Sequence, residues 1–284
     1  IVVQAGSDGN TLAGNYIGRL NPAGDDAGAS EANTQYGVYI AGANNTVGGP
    51  DAADGNVISG NLLNGVHLAG AAATGNTIQG NRIGTNAAGS AAIGNQQDGI
   101  YVQLGAASTA VVDNLIAGNV DDGIEIVDAS SGNLIRGNTI GLGADGSQVI
   151  GNGDNGIVFY NGVSGSMIGG TTPAERNVIS GNSGSAIVID GAGGTPTTGT
   201  TVAGTSTWYV KEPVAPASIE AIVPCSQSRG LSSEQTNPAG MLAGTTSVQA
   251  IPVGSTSRTE TFCACWSPEF GTFTVYVTMS VPST

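Results

Sequence analysis

Asn76-Thr-Ile-Gln-Gly-Asn-Arg-Ile-Gly84 carries the repeat from which the rest of the chain can be read. Its first six residues return as Asn133-Leu-Ile-Arg-Gly-Asn138, and an earlier copy stands at Asn10-Thr-Leu-Ala-Gly-Asn15. A sister motif, Asn56-Val-Ile-Ser-Gly-Asn61, recurs as Asn114-Leu-Ile-Ala-Gly-Asn119 and Asn177-Val-Ile-Ser-Gly-Asn182. Between the copies stands a glycine followed by an apolar-x-apolar triplet: Gly37-Val-Tyr-Ile, Gly65-Val-His-Leu, Gly99-Ile-Tyr-Val, Gly123-Ile-Glu-Ile and Gly156-Ile-Val-Phe. Internal repeats of this period mean stacked supersecondary units that bury one continuous core.

Each turn of the repeat therefore holds three short strands. The first strands centre on Leu12, Val47, Ile78, Val112, Ile135, Ile168 and Val202, and the second on Ile17, Ile58, Ile83, Ile116, Ile140 and Ile179. The third are the Gly-Val/Ile segments, ending at Ile187-Val-Ile189. The two-residue hairpin spacing is missing, so the strands do not pair with their sequence neighbours. They can stack on copies of themselves about 4.8 Å away. Residues 10–44, 45–75, 76–109, 110–132, 133–165 and 166–199 read as six coils, with Thr85–Gln97 and Gly141–Asp154 looping outward. Asn15, Asn56, Asn81, Asn114, Asn138 and Asn177 share one corner, where Asn can supply positive φ or a side-chain hydrogen bond. The glycine before each third strand is expected to serve a second corner through its freedom of φ.

Residues 1–204 resemble the parallel β-helix repeat family, in particular bacterial surface and secreted proteins with NxIxGN-type coils such as those quoted above. The resemblance implies a right-handed winding. It implies little about activity, because the fold hosts lyases, glycosidases, epimerases, adhesins and inert stalks. The expected fold is thus all-β: a right-handed three-sheet parallel β-helix at 1–204, followed by a small β-rich domain at 205–284. In the second part the Asn repeat stops, and Trp208-Tyr-Val, Ile219-Glu-Ala-Ile-Val, Val248-Gln-Ala-Ile and Phe273–Val281 read as strands.

Composition narrows the function. Glycine makes up 47 of 284 residues, more than twice the usual share of roughly 7%. Seven basic residues face 21 acidic ones, for a net charge of -14, and residues 1–204 hold 16 of the acidic and four of the basic ones. A nucleic-acid partner is excluded, because too little would neutralise phosphates. No apolar run approaches the roughly 18 residues of a membrane-spanning helix. The three cysteines, Cys225, Cys263 and Cys265, leave one disulfide or three free thiols open. These features fit an extracellular or cell-surface protein.

Candidate chemistry is sparse. The polygalacturonase-like members of the resembled family pair Asp-Asp with Gly-His-Gly and a basic tripeptide. Asp121-Asp122-Gly echoes the first, but the single histidine, His67, stands in Val66-His67-Leu68 and the other motifs are missing. Arg136 and Asp113 are expected to form an ion pair across adjacent coils. Asp98 and Asp122 precede the third-strand glycine in adjacent coils and should stack about 5 Å apart. That column fits turn chemistry, shared with Asn64 and Asn155. It also fits a Ca²⁺ site at Asp98, Asp121 and Asp122 with Asn152 and Asp154 nearby, or a retaining glycosidase pair. No other cofactor is indicated, and with no convergent catalytic set the balance is against an enzyme.

Two surfaces remain. Tyr39, His67, Tyr101, Glu125, Val158 and Val188 should line up on the outside of the third-strand sheet, with Tyr39, His67 and Tyr101 as a face for extracellular polysaccharide or a partner. Thr11, Thr46 and Thr77 align on the first strands, in a row that Val111, Leu134 and Met167 break. Ile1, Val2 and Val3 match the third-strand segment Ile100-Tyr-Val and read as an open coil edge. Together with Phe273, Val275, Val277 and Val281 they suggest copies joined head to tail in an extracellular filament or surface layer. The alternatives are a stalk or adhesin module of a monomeric surface protein, and a polysaccharide-active lyase or glycosidase.

Overall fold

The computed structural model describes residues 1–191, 195–203, 264–267 and 272–275. Three parallel sheets wind along residues 1–203. Sheet I stacks Val2–Val3, Val38–Ile40, Val66–Ala69, Ile100–Gln103, Ile124–Ile126, Ile157–Tyr160 and Ile187–Asp190 in chain order. Sheet II stacks Thr11–Leu12, Thr46–Gly48, Thr77–Gln79, Ala110–Val112, Leu134–Arg136, Met167–Gly169 and Thr201–Ala203. Sheet III stacks Tyr16–Gly18, Val57–Ser59, Arg82–Ile83, Leu115–Ile116, Thr139–Ile140 and Val178–Ile179. The described residues contain no α-helix, only the 3₁₀ turns Ala29–Glu31 and Pro173–Glu175. None of their helices is long and apolar enough to cross a membrane.

The core is a set of aliphatic columns. Ile58, Ile83, Ile116 and Ile140 stack in register on sheet III and are fully buried. Val38, Val66, Ile100, Ile124 and Ile157 do the same on sheet I. One expected centre moves by a residue: Val111, not Val112, pairs with Ile78 and Ile135 and faces the core. Ala110, not Val111, therefore follows Thr77 in the threonine row. A one-residue slip exchanges inside for outside, and here both candidates are valines.

The corners are held by polar ladders. Asn15, Asn56, Asn81, Asn114, Asn138 and Asn177 form one; each backbone N–H, and in each case the side-chain amide, donates to the next Oδ1 at 2.9–3.1 Å. A second runs through Asn61, Asn95, Asn119, Asn152 and Asn182. A third begins Asn10, Asn45, Asn76. None of these asparagines has positive φ; on the first ladder Gly80, Asp113 and Gly137, the residues before Asn81, Asn114 and Asn138, do. The glycines before the third strands also differ from expectation. Gly99 has no positive φ; a Cβ there would stand 2.7 Å from Gly123 O and from Ile116 Cγ2. Close approach between coils, not backbone freedom, excludes a side chain.

The outward loops support one another. Antiparallel bridges close Leu20 on Asp26, Thr85 on Ala92 and Leu142 on Val149. Ala87 N–H then donates to Gly24 O at 2.8 Å, and Ala144 N–H to Gly89 O at 2.9 Å. Near the other end of the sequence, Ala264–Ser267 pairs antiparallel with Thr272–Val275. Phe273 and Val275 of the expected assembly strand are thus paired within the chain. Val277, Val281, the three other strands expected after residue 204, Cys225 and Cys263 lie outside the described residues.

Candidate functional site on the outer face of sheet I

The alternation of sheet I sends Tyr39, His67, Tyr101, Glu125, Val158 and Val188 outward in one register column, as expected. Their chain neighbours Val38, Ile40, Val66, Leu68, Ile100 and Val102 point inward and are fully buried. The rings are in contact. Tyr39 and His67 centroids lie 5.4 Å apart, and His67 meets Tyr101 edge-on at 5.2 Å. Tyr36 completes the cluster, stacked on Tyr39 at 5.7 Å and tilted over His67 at 4.3 Å. Ring pairs at these separations have favourable geometry.

His67 differs from its neighbours. It is 4% exposed, with the Gln103 amide nitrogen 2.9 Å from Nε2. Burial holds its pKa down at about 4, so the ring is neutral at pH 7. It packs the tyrosines in place, and the accessible part of the face falls to Tyr36, Tyr39 and Tyr101. Tyr36 is a residue that sequence reasoning passed over. The signal was its place before Gly37, where the later coils carry Asn64, Asp98, Asp122 and Asn155.

Beside the rings, that Asx column turns acidic. Asp122 N–H donates to Asp98 Oδ1 at 3.1 Å. The Asn155 backbone and side-chain amides donate to Asp122 Oδ1 at 2.7 and 3.0 Å. The expected stacking of Asp98 on Asp122 is therefore present, and the turn chemistry weighed for it is what the hydrogen bonds show. Glu125 joins them: Asp98, Asp122 and Glu125 can bring one carboxylate oxygen each within 4.8 Å of one another. Asp121, Asp122 and Asp154 form a second such group. These are the residues that could hold a divalent cation. Asn152, expected nearby as a ligand, is bound into the second asparagine ladder instead. Three carboxylates fall short of the six to eight oxygens that Ca²⁺ takes, so other donors would have to complete either group.

Burial and neighbouring charges make Asp98, Glu125 and Asp122 hold their protons more tightly than free carboxyls. Asp98 is pushed up to about 8, by burial first and then by the charges of Glu125, Asp122 and Asp121. Glu125 rises to about 7 and Asp122 to about 6, each mainly through burial. Tyr101 is raised to about 12 by burial first and then by the charges of Glu125, Asp128 and Asp98, so its hydroxyl remains a donor. The carboxyl of a protonated Asp98 reproduces the donor and acceptor of the asparagine that fills this column elsewhere. Sign follows from linkage. Below pH 3.8 folded and unfolded Asp98 are both protonated and the native state carries no penalty. As pH rises towards 8 the unfolded chain loses its proton first, and stability falls. We expect Asp98→Asn, which keeps the acceptor for Asp122 N–H, to raise stability at pH 8.5 by several kcal/mol, at about 1.4 kcal/mol for each pH unit between 3.8 and 8, and to change little at pH 4. Urea denaturation across that range checks this, and a variant less stable than the parent at pH 8.5 would refute it.

The expected Arg136–Asp113 pair is not formed. Arg136 lies opposite Val112, and its Nη1 reaches Glu175 Oε1 at 2.7 Å, while Asp113 accepts a 3.4 Å bond from Gln79. The loop at Pro173–Glu175 brings in a nearer carboxylate.

Comparison with known proteins agrees with this architecture. The family model described as right-handed beta helix region matches residues 27–202. No curated protein matches the sequence. Among solved structures, the periplasmic alginate epimerase AlgG is similar at 17% identity and a TM-score of 0.46, over 68% of this chain and 38% of that one. A double mutant of the same epimerase gives 16% and 0.43, over 71% and 45%. The chain thus spans less than half the length of these structures.

Proposed function

We propose, for a chain that belongs to the right-handed β-helix family, that the outer face of sheet I binds neutral polysaccharide, as an adhesin-type module outside the cell or at its surface. The observation that carries this is the continuous cluster Tyr36, Tyr39, His67 and Tyr101, held on a rigid sheet and bordered by Asp98, Asp122 and Glu125. Aromatic faces offer apolar area to the C–H faces of sugar rings, and Glu125, the half-buried one of the three carboxyls, can accept from or donate to sugar hydroxyls. A protonated Glu125 and the Tyr101 hydroxyl can do both. A uronate polymer such as alginate would bring its negative charges against the exposed Asp121 and Asp154, where like charges repel.

Catalysis has less support on this face. Asp98 and Asp122 are 5% and 6% exposed and are engaged by backbone N–H groups of the next coil. End-to-end assembly has none comparable, since Thr272–Val275 is already paired with Ala264–Ser267.

The test is affinity electrophoresis against neutral polymers (xylan, mannan, β-glucan) and acidic ones (alginate, polygalacturonate). Retardation by at least one neutral polymer is expected, weakened about tenfold in Tyr39→Ala and Tyr101→Ala, roughly 1.4 kcal/mol. Preference for the acidic polymers, or tyrosine variants that bind like the parent, would end the proposal.

A further inference from the structure

Away from sheet I, the corner between sheets II and III holds a groove of about 380 Å³. Its floor is the outer register column Arg82, Leu115, Thr139, together with Gln79, Asp113 and Gly137. One wall is the loop at Gly49–Ala52, and Ala144 of the stacked outward loops lies on the other side. The groove is open here because the sheet II to sheet III connection, long at 48–56, is tight in the next three coils, at Gly80–Asn81, Asp113–Asn114 and Gly137–Asn138. Those three coils span roughly 14 Å at ~4.8 Å each.

Arg82 is the conspicuous residue. In a chain of net charge -14, Arg19 is paired with Asp26 and Arg136 with Glu175. Arg82 forms no ion pair among the described residues, although Asp51 and Asp113 line the same groove, and its buried Nε has no hydrogen-bond acceptor. Arg82 lines the groove, and an entering oxyanion matches a guanidinium with two parallel bonds. The remaining lining is suited to hydroxyls: Asp51 and Asp113 as acceptors, Gln79 and Thr139 as donors or acceptors.

We infer that this groove binds a small hydroxylated ligand bearing a single oxyanion, with Arg82 on the anion and Asp113, Gln79 and Thr139 on the hydroxyls. The oxyanion chemistry is shared by carboxylate, sulfate and phosphate, and the probes separate them: glucuronate, glucose 6-sulfate and glucose 6-phosphate, with glucose as the neutral control.

Calorimetry or saturation-transfer NMR on the intact chain decides it. At least one anionic probe should bind ten or more times tighter than glucose. Arg82→Gln should remove that preference, and Arg82→Lys should restore only part of it, because an ammonium keeps the charge without the planar fork. Asp113→Asn should weaken glucose and the anionic probe alike, because both lose the same hydroxyl acceptor. Circular dichroism melts of each variant establish that it is folded. Equal binding of glucose and all anionic probes, no binding by any of them, or a folded Arg82→Gln that binds like the parent would overturn the assignment.

Discussion

Ile116→Ala is expected to destabilise the β-helix by about 4 kcal/mol, towards the upper end of the range for deleting a buried isoleucine side chain. Ile116 is fully buried between Ile83 and Ile140 in its column, and its Cγ2 lies against the Gly99 corner. Collapse into the cavity would require neighbouring coils to approach. Their spacing is set by ladder bonds at about 3 Å on both sides, from Asn81 to Asn114 and from Asn114 to Asn138. The space therefore stays open, and the cavity term is paid almost in full. Ile116→Val, which removes one methyl group, should cost about 1 kcal/mol. Urea denaturation of the two variants measures both; a loss below 0.5 kcal/mol for the alanine, against the ~2 kcal/mol minimum for such sites, would mean that Ile116 is not packed as described.

Removing one ladder amide should be nearly as severe. In Asn114→Ala, Asn81 N–H loses its acceptor and Ile78 O loses a donor at 2.9 Å, both in the interior. Asn81 Nδ2 keeps Val47 O and Gln79 O, and Asn138 Oδ1 keeps Asn114 N–H. One stranded backbone N–H at about 1–3 kcal/mol, with the amide bond to Ile78 O lost beside it at about 1 kcal/mol, gives an expected loss of about 3 kcal/mol. Asn114→Asp retains an acceptor for Asn81 N–H and should fall between. Hydrogen exchange adds a spatial test: because repeat units contact only their neighbours, faster exchange should concentrate in the coils containing Asn81, Asn114 and Asn138. Uniform loss of protection over residues 10–190 would contradict that picture.

The residues that announced the fold were those whose job repeats in every coil. Ile58, Ile83, Ile116 and Ile140 occupy equivalent places in equivalent motifs, and their column is present in the structure. The frame slipped where a motif lost its marker. In Thr109-Ala-Val-Val-Asp-Asn114, Thr109 stands for the leading asparagine and Asp113 for glycine, and two adjacent valines blur the alternation. Asp113 nevertheless adopts φ 55°, close to the 70° of Gly80 and 69° of Gly137.

The site was legible in part for the same reason. Tyr39, His67 and Tyr101 follow from strand alternation, and the nearness of Asp98 to Asp122 follows from stacking. The burial of His67 does not, because it depends on Tyr36 folding back from the preceding connection. Nor could the groove around Arg82 be read ahead. Its lining comes from Gly49–Ala52, Gln79–Arg82, Asp113–Leu115 and Ala144, stretches drawn together by the winding and by loops whose lengths obey no local pattern.

The asparagine ladders also give the molecule a direction. In all three, the side-chain carbonyl of each asparagine accepts from the preceding coil and its backbone N–H faces the following one. Their dipoles add along the axis, as the atoms of a one-way ratchet would, and the Asp98–Asp122–Asn155 column, whose oxygens accept from the following coil, runs against them. A coil duplicated or excised whole leaves every donor facing an acceptor; one reversed would set donor on donor. Growth and shrinkage by complete turns is thus the change in length this architecture tolerates, with Tyr39 and Arg82 carried apart or together in steps of a single rung.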